Sequence, residues 1–147
     1  METLSFEILG IPKSKQSARF RQFKNKAGKS VISSYQTKEV MENETNIAWC
    51  VTKQLPPNFV PFDCPLHMEV EYVFPIPQSA TKKLKQRIID GAIVYKDTKP
   101  DLHDNLNKAT MDALEGIVFV NDSRIASMKA VKYYGTTPMT IIKFIEI

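Results

Sequence analysis

The segment LHMEVEYVFPI, residues 66–76, places Leu66, Met68, Val70, Tyr72 and Phe74 at alternate positions. A period of two suits an extended strand with one apolar side and does not suit a helix, so this stretch commits the chain to a sheet. LSFEILG alternates in the same way and reads as a first strand that ends at Gly10-Ile11-Pro12. RIASMKAVKYYG and MTIIKFIEI read as two further strands, and GIVFV as a short apolar one. Helical segments lie between them. SSYQTKEVMENETNIAWCVTKQL carries an imperfect apolar face of Val40, Ile47, Trp49, Val51 and Leu55, and PPNFVPFDCP breaks it. SATKKLKQRIIDG offers Ser79 as an N-cap and Gly91 as a stop. The expected class is α+β, a mixed β-sheet with about three helices in a single domain over residues 1–147.

A chain of 147 residues can bury a real core, and 43% hydrophobic with 24% charged residues is ordinary for a globular protein, which argues against disorder. No apolar run approaches the roughly 20 residues of a membrane span, and no signal-peptide pattern opens the sequence. The expectation is a cytoplasmic protein with no membrane partner. Cys50 and Cys64 have no metal-type spacing and read as free buried thiols in a reducing compartment.

Net charge is unevenly spread. Between Glu7 and Glu39 there is no acidic residue, whereas Lys13, Lys15, Arg19, Arg21, Lys24, Lys26, Lys29 and Lys38 all fall there. Without those eight charges the formal +4 becomes 4 − 8 = −4, so a basic arm, at about 12–38, sits on an acidic body. Such an arm suits a polyanion, and Phe20, Phe23 and Tyr35 are placed either to stack on bases or to line a core. KAGK is its expected turn, and the competing reading is a solvated hairpin. TKKLKQR, residues 81–87, is a second basic face with the same two readings.

In TKPDLHDNLNKATMDALEGIVFVND, residues 98–122, Asp101, Asp104, Asp112 and Asp122 crowd around Lys108. Pro100 is tolerated in a first helical turn, and Asp101 suits an N-cap or first-turn position, where the helix dipole favours an acid. Helical periodicity gathers Leu102, Leu106, Ala109 and Ala113 into a buried stripe, and Asp101, Asp104, Asn105, Lys108 and Asp112 into a separate one. Two readings stay open. One is a solvent-facing stripe with an Asp104–Lys108 pair, worth a few tenths of a kcal/mol. The other is a carboxylate cluster for Mg²⁺, which takes a few carboxylates besides waters and substrate phosphate, activates water and stabilises charge on a phosphodiester, with a lysine beside it as a point charge.

KPDLHDNLNKATMDALEGIVFVNDSRI resembles the signature of the RusA family of Holliday-junction resolvases: K/R-P-D-x-D-N, a lysine a few residues on, D-A-L/M, a short apolar stretch, then D-D or N-D before a strand. GIPKSKQSARFRQFKNKAGKSVISSYQTKEV is similar to that family's basic arm and following helix. The resemblance implies a homodimeric, Mg²⁺-dependent endodeoxyribonuclease, with Mn²⁺ able to substitute and no organic cofactor. Such an enzyme cuts four-way DNA junctions in a bacterial cell, and many family members are encoded by bacteriophages or prophages. By the same resemblance Asp104 is the second aspartate of P-D-x-D-N with Asn105 beside it, Lys108 the catalytic lysine, and Asp122 the aspartate after the apolar stretch. Asp112 is the supporting aspartate of D-A-L.

Asp101 matches the first aspartate only across an insertion, because Leu102 and His103 stand where the pattern has one residue. Three-residue spacing within a first helical turn is expected to bring Asp101 and Asp104 onto one face, with His103 pointing away. The expected function is resolution of branched DNA by paired symmetric nicks, with Asp101, Asp104 and Asp122 on the metal and Lys108 on the phosphate. Lys13, Lys15, Arg19, Arg21, Lys24 and Lys26 are the expected DNA contacts. The alternative is a non-catalytic nucleic-acid-binding protein that keeps the fold. His67 is assigned no role, and Trp49, Tyr133 and Tyr134 are expected in a core or a dimer interface.

Overall fold

In the computed structural model, residues 2–14, 19–35 and 38–147 are described, those at 19–21 and 33–35 by their backbone alone. Strand β4, Leu66–Pro75, organises the rest. It pairs antiparallel with β6, Met139–Glu146, and parallel with β5, Ile125–Gly135, while β1, Thr3–Leu9, closes the other side of β6. The four-stranded order is β1-β6-β4-β5. A parallel pair needs a crossover, and the chain between β4 and β5 supplies one carrying α2, Lys82–Ile89, and α3, Asn107–Leu114. The mixed sheet and three α-helices bear out the expected α+β class.

Alternation along β4 does what the sequence requires: Leu66, Met68, Val70, Tyr72 and Phe74 are all buried. They join Phe6 and Ile8 of β1 and Ile142 and Phe144 of β6 on the inner face. Two helices cover that face. Helix α1, Lys38–Gln54, contributes Val40, Ile47 and Val51, and α3 contributes Ala109, Ala113 and Leu114. The α1 pattern is imperfect because Trp49 does not belong to the buried stripe; it is 58% exposed, with the Lys53 ammonium 3.8 Å above its ring. The opposite face of the sheet is open around Glu69, Glu71, Lys129 and Lys143, which line a depression there.

Three boundaries differ from expectation. The first residues assigned to helix α1 instead form strand β3, Ser30–Tyr35, which pairs with β2, Arg19–Lys24. This hairpin turns at Asn25–Lys29, where the Asn25 side chain accepts from Ala27 N and Lys29 N, so the KAGK turn forms as read. Helix α2 is capped by Thr81 and not Ser79; Thr81 Oγ1 accepts from Leu84 N at 3.1 Å. GIVFV is a turn that buries Val118 and Phe119, not a strand. Gly116, at φ 82°, lets its N–H reach Phe119 O at 2.7 Å, and only the flanks of Phe119 ladder with Phe62. A five-residue apolar run has no readable period, which is why the sequence could not separate the two. No helix among the described residues is long and apolar enough to cross a membrane. Cys50 and Cys64 are free and half-buried.

The core is not wholly apolar. Asn107 and Thr110 of α3 are buried, and the Tyr72 hydroxyl of β4 donates to Asn107 Oδ1 at 2.9 Å and lies 3.0 Å from Thr110 Oγ1. Asn107 Nδ2 in turn reaches Met128 Sδ of β5 at 3.4 Å. Burial pushes the Tyr72 phenol far above the usual tyrosine range, only partly offset by Thr110, so it stays a neutral donor. Replacing Tyr72 with Phe strands the Asn107 carbonyl in the core. The expected outcome is a loss of about 1–3 kcal/mol, read as a lower urea midpoint at unchanged slope. An unmoved midpoint would contradict the role given to this bond.

Candidate active site

The acidic motif is reached along the edge of β5. Tyr134 N donates to Val94 O at 3.1 Å and Lys96 N to Lys132 O at 3.0 Å, so residues 94–96 run beside β5 like a short extra strand. The Lys99–Pro100 peptide is cis. Asp101 follows in extended conformation, φ −65° and ψ 134°, and its side chain caps nothing. Its carbonyl accepts from Leu106 N at 3.1 Å, and Leu102 O accepts from Asn107 N. Both bonds span five residues, so Leu102–Leu106 is a π-helical turn leading into α3.

This corrects the expectation of an ordinary first helical turn that begins at Asp101. The extra residue in PDLHDN widens one turn and is not passed down the helix. Below it, Leu106, Asn107, Ala109, Thr110, Ala113 and Leu114 remain on the buried side. Asp101, His103, Asp104 and Lys108 are exposed, and Asn105 and Asp112 are half-buried. Among the described residues no ion pair joins Asp104 to Lys108, so the i,i+4 pairing that would explain the row as a mere helix surface is not formed.

Asp122 is held separately. It opens a short 3₁₀ turn, Asp122–Arg124, capped by Asn121, whose Oδ1 accepts from Ser123 N at 2.9 Å. Arg124 anchors the turn by placing Nε and Nη2 each 2.8 Å from Asp63 Oδ1. The Asp122 amide donates to Glu115 Oε1 at 3.2 Å, and Glu115 is the C-cap of α3. Asp101 and Asp104 stand at the other end of that helix, whose eight residues rise about 12 Å. Consistent with that separation, no three His, Cys, Asp or Glu side chains among the described residues are grouped to hold a metal ion.

The basic arm leaves β1 at Lys13, whose carbonyl accepts from Asn43 Nδ2 of α1 at 3.3 Å. Lys24 and Lys26 are exposed at the hairpin end. Arg19 and Arg21 lie on β2, with side chains outside the described ones, and Lys15 lies outside the described residues. His103 is exposed in the π turn, and His67 sits on the open sheet face between Ser127 Oγ at 2.8 Å and Glu69 Oε1 at 3.4 Å. Sequence reasoning missed Glu115 and Lys132. The signal for Lys132 was present: it interrupts the inward series Met128, Ala130, Tyr134 with a charge.

Residues 10–145 match the family described as endodeoxyribonuclease RusA. A curated relative, the uncharacterized protein YqaN of Bacillus subtilis (strain 168), is 32% identical over 85 residues, covering 56% of this chain. The chain spans 58% of that relative's length. An α+β fold with an acidic motif at the head of a helix, and a hairpin within the basic stretch of the sequence, is the architecture in hand. The chain belongs to the RusA endodeoxyribonuclease family.

The π turn makes a measurable claim. Deleting His103 restores the shorter spacing of P-D-x-D-N, and if the widened turn alone absorbs that residue, α3 keeps its register. Far-UV circular dichroism should be unchanged and the unfolding free energy from urea titration should stay within about 0.5 kcal/mol of wild type, as for changes that leave the core untouched. A large loss of stability would mean that the extra residue is packed into the fold.

Proposed function

We propose that the chain is a structure-selective DNA endonuclease that resolves Holliday junctions and other branched DNA by paired, symmetric nicks. One observation carries this reading. Asp101 and Asp104 at one end of α3, and Asp122 at the other, are exposed, and among the described residues neither their carboxylates nor the Lys108 ammonium has an ion pair or hydrogen bond. Folding gains nothing from that arrangement. An all-oxygen donor set of this kind fits Mg²⁺, with Mn²⁺ as a substitute, and the family membership supports the same assignment. When bound, the metal supplies activation of water and neutralises charge on the phosphodiester. Asp101 and Asp104, joined by an Asp122, would hold it, Lys108 would face the phosphate, and Asn105 and Asp112 would support the row. Lys13, Lys15, Arg19, Arg21, Lys24 and Lys26 contact the DNA backbone.

The working unit in this reading is a twofold homodimer. Two symmetric nicks need two equivalent sites, and the separation of Asp122 from Asp104 along α3 leaves a role for a second copy in closing each site. The open sheet face supports this. Ile93, Tyr95, Val131, Tyr133 and Ile141 line a depression of about 330 Å³ there, together with Glu69, Glu71, Lys129 and Lys143. Apolar surface mixed with both charge signs is self-complementary under a twofold axis, since each copy offers lysines to the other's glutamates. The alternative, a non-catalytic nucleic-acid binder, is disfavoured by the same carboxylates: a phosphate-binding surface gains only from cations.

Asp104→Asn and Asp122→Asn should each abolish nicking of a synthetic four-way junction while leaving gel-shift binding intact or tighter, because a negative charge facing phosphate is removed. Mixing the two variants tests the dimer. If one copy supplies Asp122 to the other's Asp104, mixed dimers regain one intact site and nick one strand. Full activity in either single variant would sink the assignment, and absence of rescue in exchanged dimers would place each complete site within one chain.

Neutralising Arg19, Arg21, Lys24 and Lys26 should weaken junction binding and flatten its salt dependence, by about 0.9 in the log–log slope for each phosphate no longer neutralised. An unchanged slope would turn the arm away from DNA.

A further inference from the structure

On β5, Met128, Ala130 and Tyr134 pack against the core, and Lys132 occupies the same inward series, in register with Tyr72 of β4. An apolar residue there would add packing, whereas a half-buried ammonium loses hydration. Among the described residues no carboxylate pairs with it. Its partners are two backbone carbonyls, Thr98 O at 2.6 Å and Pro100 O at 2.8 Å. These flank the approach to Asp101, and the Asp101 carbonyl itself accepts from Leu106 N on the other side. The backbone at Asp101 is therefore held before and after. Upstream, Lys96 secures the same loop, with Nζ 2.8 Å from Thr98 Oγ1 and lying over the rings of Phe74 and Tyr134 at 5.2 and 5.4 Å.

We propose that Lys132 is the positioning residue for Asp101: by tying the carbonyls of Thr98 and Pro100 together, it presents the Asp101 carboxylate to a divalent cation in a fixed direction. The inference rests on the nuclease reading above. It explains a charge that the fold alone disfavours, because a ligand in an irregular loop must be held by groups behind it, and removal of such outer groups typically lowers metal affinity about 10–100-fold. Asp104, inside a hydrogen-bonded turn, needs no such tether.

The test measures Mn²⁺ binding by electron paramagnetic resonance alongside Mg²⁺-dependent junction cleavage, for wild type, Lys132→Met, Lys132→Arg and Asp101→Asn. Lys132→Met should weaken Mn²⁺ binding and raise the Mg²⁺ requirement for cleavage about tenfold, with metal-free junction binding unchanged. Lys132→Arg, which can still donate to both carbonyls, should stay near wild type. In an Asp101→Asn background Lys132→Met should add almost nothing, since the ligand it positions is gone. Should Lys132→Met fail to fold by circular dichroism, Lys132→Gln carries the same expectations. A folded Lys132 variant that binds Mn²⁺ as wild type does, or losses that simply add to those of Asp101→Asn, would overturn the inference while leaving the nuclease reading intact. A wild-type protein that neither binds Mn²⁺ nor cuts junctions would remove both.

Discussion

The Tyr72 hydroxyl is the constraint on which the placement of the acidic motif depends. Apolar packing holds α3 against the sheet, but apolar packing alone tolerates sliding and rotation. The bonds from Tyr72 to Asn107 and Thr110 do not, because a buried hydroxyl, amide and threonine must all be satisfied at once. They lock one rotation of α3 over one position of the central strand. Lys108 follows Asn107 directly, so its outward direction is fixed by the inward direction of its neighbour. The charged row is thus set from beneath by a polar cluster in the core.

That lock also shows why an inserted residue is tolerated where it is. With α3 pinned at Asn107 and the approach loop pinned along β5, the chain between Asp101 and Asn107 spans a fixed gap. One residue too many cannot shift the helix without breaking the Tyr72 bonds, and cannot shift the loop without breaking those to Lys132. It is taken up in the stretch between the two anchors, as a turn with five-residue spacing. π-bulges are frequent at functional sites. Here the cause is local: two anchors surround an insertion.

Much of this was legible in the sequence. The period of two in LHMEVEYVFPI and LSFEILG identified strands whose inward residues are the observed core, and the stripe Leu106, Ala109, Ala113 identified the buried side of α3. The family was legible because most residues of the acidic motif stand at the spacings of its signature. What was not legible had physical reasons. Asn107 and Thr110 fall in neither stripe read for the helix, because polarity alone does not announce a buried partner thirty-odd positions away on another element. The turn at Val118-Phe119 is apolar in every direction and so has no phase. The π turn is invisible to helical periodicity, since whether an extra residue rotates a helix or is looped out depends on what holds the two ends.

The distribution of charge follows from the same division of labour. The hairpin lies in a stretch of cations with no acid nearby in sequence, while among the described residues Asp101, Asp104 and Asp122 form no ion pair with Lys108. Pairing those three acids with Lys108 would stabilise the isolated chain, yet only marginally, because exposed ion pairs contribute little. Leaving them unsatisfied therefore costs little in folding. In the proposed reading it preserves a preference for outside partners: phosphates at the arm and a cation at the motif. A cation bound at the carboxylates also removes the feature of the surface that repels DNA. In the proposed reading, binding of a metal and close approach of the phosphodiester would be coupled, each lowering the electrostatic cost of the other.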